Sequence, residues 1–321
     1  MPSMEKLTSI LVVIDPADES RHVLNKAMIL ARHFRARLEL FLCDSENAYA
    51  LSHSYDRRGI SAAREACLIA GHRYLDALRR SLAEDVQITS HVACESPLYE
   101  AIVRRALETR PDLVIKGASG PRPMRRLSLD ANDWQLARAC PVALMLTRGQ
   151  PWNARPRFAA AVDVSDPDGG ALARTIMHAA GFMAGGCKAE LEVVFSSSTA
   201  ADARAREMQA ESLAHLVSEF RVGREHVTLL NGAAEETLPA FGASRELDVL
   251  VMGALTQRRG LAALVGTLTS KLVDALECDF VLVKPESYAC PLEAPAAAAA
   301  GERRDISRRA AAVTPPTPLI T

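Results

Sequence analysis

Asp248-Val249-Leu250-Val251-Met252-Gly253, with Gly266-Thr267-Leu268 farther along the same segment, carries most of the architectural information in this chain. An unbroken apolar run of this length, stopped by glycine, reads as a strand buried on both faces, and such strands belong to parallel sheets. A loop with Arg258, Arg259 and Gly260 comes next, and Gly266-Thr267 opens a helix predicted over 268–276. A glycine-led helix start leaves backbone N–H groups free at the positive end of the helix dipole, and both features favour a phosphate. The layout also occurs earlier, where Asp112-Leu113-Val114-Ile115-Lys116 runs into Gly117 and then Gly120. The chain is therefore predicted to be built twice, with only the later copy fitted to hold an anion.

Around these stretches strands alternate with helices. In the first half the strands are expected at 9–14, 38–42, 87–92, 112–116 and 142–146, and helices at 20–34, 61–82, 98–109 and 132–139. The long helix is expected to turn Ala63, Ala66, Ala70, Tyr74, Leu75 and Leu78 toward the core. Gln150-Pro151-Trp152-Asn153 reads as a linker. The second half repeats the order, with strands at 158–162, 191–195, 227–230, 248–252 and 280–284. Cys140 and Cys278 read as the same point of the two repeats. Parallel strands need long right-handed crossovers, so each half is predicted to be a sheet with helices on both faces. Beyond Glu286 the Ala296–Ala300 run, the prolines and Arg303, Arg304, Arg308 and Arg309 read as a disordered tail.

Composition narrows the function classes. A length of 321 residues fits about two domains. A formal net charge of -1 provides no general basic field, which argues against nucleic-acid and membrane-surface binding. No secretory signal and no stretch long enough to span a bilayer is read in the sequence. Seven cysteines without a pairing pattern fit a reducing, cytoplasmic setting.

The order of a strand ending in Asp (Asp15, Asp163), a strand ending in Gly (Gly117, Gly253), a long loop and Gly266-Thr267 before a helix resembles the universal stress protein family. Two copies in one chain, with Asn132-Asp133-Trp134-Gln135-Leu136 and Arg138-Ala139-Cys140-Pro141, resemble its tandem members over roughly 6–285. The resemblance implies two tandem Rossmann-like α/β domains, 1–148 and 155–286, related by a pseudo-twofold. Each would be a five-stranded parallel sheet flanked by helices, and 287–321 would be the tail. It also implies that the fifth strands pair antiparallel within one chain. The result would be an intramolecular pseudo-dimer, monomeric or dimeric overall.

Some members bind ATP through G-x2-G-x9-G-[ST] after the fourth strand. Laid on the second half, that motif falls on Gly253, Thr256, Gly266 and Thr267, with threonine in place of the second glycine. The resemblance then implies Asp163 at the ribose or base and Ser196 and Met252 at the adenine wall. Gly266, Thr267 and Leu268 would offer N–H groups to the phosphates, with Mg entering only alongside the nucleotide. If the Thr256 position needs positive φ, its Cβ strains the loop. The plainer reading is that these glycines only shape a loop. In the first half Asp130-Ala131 replaces Gly266-Thr267, and a carboxylate at a helix start occupies the place of a phosphate.

No nucleophile–base pair and no C-x2-C or His-Glu-x2-His metal motif is read, so neither a catalytic nor a metal residue is assigned. Cys140 and Cys278 read as small buried hydrophobes and the loop arginines as solvated charges. The expected function is a cytoplasmic stress-response protein that binds ATP or another small ligand in its second half and acts through protein partners. A weak ATP hydrolase and a nucleotide-free scaffold for an apolar metabolite stand as alternatives.

Overall fold

The computed structural model describes residues 4–16, 21–54, 57–118, 131–165, 170–197, 203–256, 264–265 and 267–293. The first half runs β1 (Ser9–Ile14), α1 (Arg21–Phe34), β2 (Arg37–Cys43), α2 (Ser45–Ser52) and α3 (Arg57–Arg80). It continues with β3 (Ile88–Ala93), α4 (Leu98–Thr109), β4 (Leu113–Gly117), α5 (Ala131–Ala139) and β5 (Ala143–Thr147). The second half runs β6 (Arg157–Ala161), α6 (Gly170–Cys187), β7 (Glu190–Ser197), α7 (Ala203–Glu219), β8 (Val227–Asn231) and α8 (Ala234–Arg245). It closes with β9 (Val249–Gly253), the short β10 (Leu255–Thr256) and β11 (Leu264–Val265), α9 (Thr267–Ala275) and β12 (Asp279–Val283).

One ten-stranded sheet holds both halves, in the order β3-β2-β1-β4-β5-β12-β9-β6-β7-β8. Every pairing in it is parallel except the central one, where β12 meets β5 antiparallel as Phe280–Leu146, Val281–Met145 and Leu282–Leu144. The apolar strands are buried on both faces. Along β1, Ile10, Val12 and Ile14 enter one core and Leu11 and Val13 the other, as a period of two requires. In the first core α1 packs near α6 across the halves, with Phe34 stacked on Phe182 at 4.9 Å. Gly186 permits that approach, since a Cβ there would lie 2.1 Å from the Phe34 ring.

Sheet register fixes the equivalence of the two halves. Ile115 pairs with Met145 as Val251 pairs with Val281, so Met145 and Val281 are equivalent positions that face each other. The pseudo-twofold therefore passes through this pair. Each half also fastens its first strand to its fourth with the same carboxylate. Asp112 accepts from the Thr8 and Ser9 amides at 2.7 and 3.1 Å, and Asp248 from the Asn153 and Arg157 amides at 2.9 and 2.8 Å.

Two cations at equivalent positions cross the central pairing. Arg148, after β5, donates to the Val273 carbonyl in the last turn of α9. Lys284, after β12, donates to the Cys140 carbonyl past α5 at 2.6 Å and lies 4.8 Å from the centre of the Tyr288 ring. Each half thus caps the other's helix C-terminus, where carbonyls lack intrahelical partners and the dipole is negative. A buried ion pair adds a third tie. Asp279 accepts from Lys26 Nζ, the Arg148 amide and Trp152 Nε1, each at 2.7 Å.

The structure corrects several sequence expectations. The register places Cys140 level with Leu276, so Cys140 and Cys278 are not equivalent; matching identical residues shifts the repeats by two. On α3 the alanines Ala63, Ala66 and Ala70 are exposed and Tyr74 is 37% so, while Gly71 and Leu75 are buried and Leu68 and Leu78 pack on the core. Gly71 sets that face, because a Cβ there would come 2.6 Å from Val92 Cγ1. The tail starts later than 287. Tyr288 donates to the Arg138 carbonyl at 2.6 Å, and the buried Cys290 thiol meets the Ala139 carbonyl at 3.2 Å. Residues from 294 onward lie outside the described residues.

Burial pushes the Lys284 amine down from 10.5 to about 8. Between these pH values the unfolded chain holds a proton that the folded chain has released, so the contribution of this residue to stability rises with pH. The full rise is on the order of 3 kcal/mol at 1.36 kcal/mol per unit. The thiols of Cys187 and Cys278, pushed up to about 12, act in the opposite sense but are common to wild type and a Lys284 variant. The wild-type minus Lys284→Met stability, from urea melts at successive pH values, is expected to climb through this window. A flat difference would mean that burial does not depress the amine.

Candidate functional site

In an open α/β sheet the crevice for ligands lies outside the carboxyl ends of the strands, where the strand order reverses. In the second half that point is between β6 and β9. Their register sets Ala160 beside Val251, so the chains leave side by side at Val162 and Gly253. Asp163 follows β6 as an exposed carboxylate and accepts from the Ser165 amide at 2.8 Å, which closes a tight turn. Gly253 meets Leu172 of α6, whose Cδ2 would lie 2.8 Å from an added Cβ. A side chain at Gly253 would therefore displace the apolar wall of the crevice.

Ala161 pairs with Val194, so Asp163 leaves near the level of Ser196 on β7. The Ser196 hydroxyl is engaged: it donates to the Gly232 carbonyl at 2.8 Å and lies 2.8 Å from Thr237 Oγ1. Next to it, Ser197 donates to Gln209 Oε1 at 2.9 Å, and Gln209 Nε2 reaches Ser165 Oγ at 3.4 Å. Gln209 of α7 thus links the ends of β6 and β7 across the mouth of the crevice. Nothing in the sequence singled out Gln209 or Leu172, since both sit in ordinary helical patterns.

The structure thus brings Asp163, Ser196 and Gly253 to one end of the sheet. Met252 stands in β9 just before Gly253, almost wholly buried. Thr256 differs from expectation. It pairs antiparallel with Leu264 in a small ladder beside Leu255–Val265. An extended, paired residue needs no left-handed backbone, so the strain expected at Thr256 is absent. Thr267 and Leu268 begin α9, as the sequence predicts, and Thr269 behind them is buried. Gly266, Arg258 and Arg259 lie outside the described residues, as do Gly120 and Asp130 in the first half.

The matching crevice of the first half contains a built-in charge pair. Lys116, at the end of β4, places its ammonium 2.7 Å from Asp133 Oδ1 of α5 and donates to the Gly117 carbonyl at 2.9 Å. Both side chains are buried. The equivalent residues in the second half are Met252 and Thr269, which carry no charge. The sequence held a signal for this pair that went unread. Lys116 closes an otherwise apolar strand, and Asp133 is the third residue of its helix. The sequence reading gave the anion-excluding role to Asp130 instead.

Among the described residues no group of three or more His, Cys, Asp or Glu side chains is placed to hold a metal ion. His91 stacks on Phe41 at 5.9 Å, and burial lowers its pKa.

Residues 6–148 match the family described as the universal stress protein family. Along nearly its whole length the chain is similar to universal stress protein E. It is 23% identical to that of Escherichia coli strain K12 over 316 residues, which cover 90% of this chain and 98% of the relative. The Photorhabdus laumondii protein of the same name is 22% identical over 318 residues, covering 91% and 99%. Among solved structures, a universal stress protein from Archaeoglobus fulgidus superposes with a TM-score of 0.66 at 11% identity, covering 88% of this chain and 99% of that one. A protein of unknown function from Pseudomonas aeruginosa PAO1 gives 0.69 at 24%, covering 88% and 94%. At these identities the structural likeness establishes the fold alone.

Removing one partner of the buried pair leaves an uncompensated charge, which typically costs about 3–5 kcal/mol. Lys116→Met alone is expected to destabilise the protein by that order in urea melts. Adding Asp133→Thr, which copies the second half, should recover most of the loss. A double variant no more stable than the single one would show that the pair contributes little to the fold.

Proposed function

We propose that this chain, whose residues 6–148 belong to the universal stress protein family, is a stress-response protein that binds an adenine nucleotide in the crevice of its second half. The observation that carries this reading is the contrast between the two crevices. The first is occupied by its own Lys116–Asp133 pair, while the second has Met252 and Thr269 there. A phosphate entering the first would meet a buried carboxylate, whereas the second offers it the start of α9. Asp163 and the Ser165 turn would face the sugar, and the apolar wall of Leu172 and Met252 the base. Gly253, Thr256, Gly266, Thr267 and Leu268 would surround the phosphates, with Mg serving as their counter-ion.

The reading extends to how the protein acts. Among the described residues the crevice contains no partnered nucleophile and base, which favours signalling through protein partners over catalysis. We place the protein in the cytoplasm; no helix among the described residues is long and apolar enough to cross a membrane.

Titration of Mg-ATP by calorimetry tests the proposal. One site per chain is expected. Gly266→Asp, which installs the first half's residue at the helix start, should weaken binding roughly tenfold or more, since charge at a helix N-terminus is worth up to about 2 kcal/mol. No binding, two equal sites, or an unchanged affinity in the variant would overturn the reading. Hydrolysis followed in the same samples should stay at the level of the variant.

A further inference from the structure

We propose that Cys67 and Cys94 are an oxidisable pair, joining as an intramolecular disulfide when a small disulfide supplies the oxidising equivalents. The two thiols converge because of the way α3 lies on the sheet. Gly71 packs tightly on Val92 of β3, where an added Cβ would lie 2.6 Å from Val92 Cγ1. Cys67 lies four residues before Gly71, about 6 Å along the helix, and Cys94 lies two residues past Val92, about 6.6 Å along the strand direction. A crossover helix runs opposite to the strands it joins, so both steps lead to the same end of the sheet. Cys94 is accordingly among the groups that perturb the Cys67 thiol.

The remaining cysteines are less suited. Cys43 is close by but turns its thiol to the Glu95 carbonyl at 3.3 Å. Cys140, Cys187, Cys278 and Cys290 are buried elsewhere. Cys67, unlike Cys94, lines a cavity of about 570 Å³, with Pro16, Asp44, Asn47, Leu51 and Tyr74. A small disulfide entering that cavity reaches its sulfur first.

The chemistry balances in two exchanges. The Cys67 thiolate attacks one sulfur of the small disulfide, forming a mixed disulfide and releasing one small thiol. Cys94 gives up its proton and attacks the Cys67 sulfur, releasing the second small thiol. Two cysteine sulfurs are oxidised and one small disulfide is reduced. The first exchange is slow, because Cys67 donates to Asp44 Oδ2 at 3.2 Å, and burial and that carboxylate push its pKa up to about 12. Once formed, the bond withdraws Cys67 from Asp44, which caps α2, and pins the exposed first turns of α3 to β3.

The test is to incubate the full-length protein with cystamine and map its peptides without reduction. The expected product is a Cys67–Cys94 linked peptide lacking two hydrogens, reversed by dithiothreitol, with slowed hydrogen exchange in α3. It should persist in Cys43→Ser and vanish in Cys67→Ser. Cys94→Ser should stop at the mixed disulfide on Cys67. Free thiols throughout, a Cys43–Cys94 bond, or wild type arrested as the mixed disulfide would each overturn the proposal.

Discussion

Three antiparallel residue pairs, Leu146–Phe280, Met145–Val281 and Leu144–Leu282, turn two sheets into one. Every member is buried, and burying a large apolar side chain is worth about 1.5–3 kcal/mol. Split at this line, each half would present a bare apolar edge strand, a template for aggregation. The polar contacts follow from the same symmetry. With Met145 facing Val281, the residue after each last strand is carried onto the other half's helix end, where Arg148 and Lys284 satisfy carbonyls that a separate half would leave open. Neither half is complete alone.

The pseudo-twofold also shows where the halves have diverged. Lys116–Asp133 on one side faces Met252 and Thr269 on the other. The first half places a buried ion pair where the second half has two uncharged side chains. Duplication lets one chain contain both. The first half then acts as the partner that covers the edge of the second.

Much of this fold was legible in the sequence because its signals are long and repeated. The apolar runs ending at Gly117 and Gly253 gave the parallel strands, and the family resemblance, together with the uncharged last strands, implied the central pairing. The misreadings came where residue identity stood in for geometry. Cys140 and Cys278 look alike, yet the register sets them two residues apart. The alanine stripe on α3 looked like a core face, but alanine is at home on either side, and Gly71 decides which face can approach Val92. At Thr256 strain hung on whether the motif's glycine position needs positive φ, and the residue is extended and paired. Lys116, closing an otherwise apolar strand, and Asp133, early in its helix, were visible one by one, but that they pair shows only when both are placed in space.

Native-state hydrogen exchange addresses the dependence of both halves on the central pairing. If β5 and β12 hold the molecule together, their amides exchange only through global unfolding, with the same free energy as those of β1, β4, β6 and β9. An opening of lower free energy that exposes β5 and β12 while the other four strands stay protected would contradict this, and would mean that each half folds on its own.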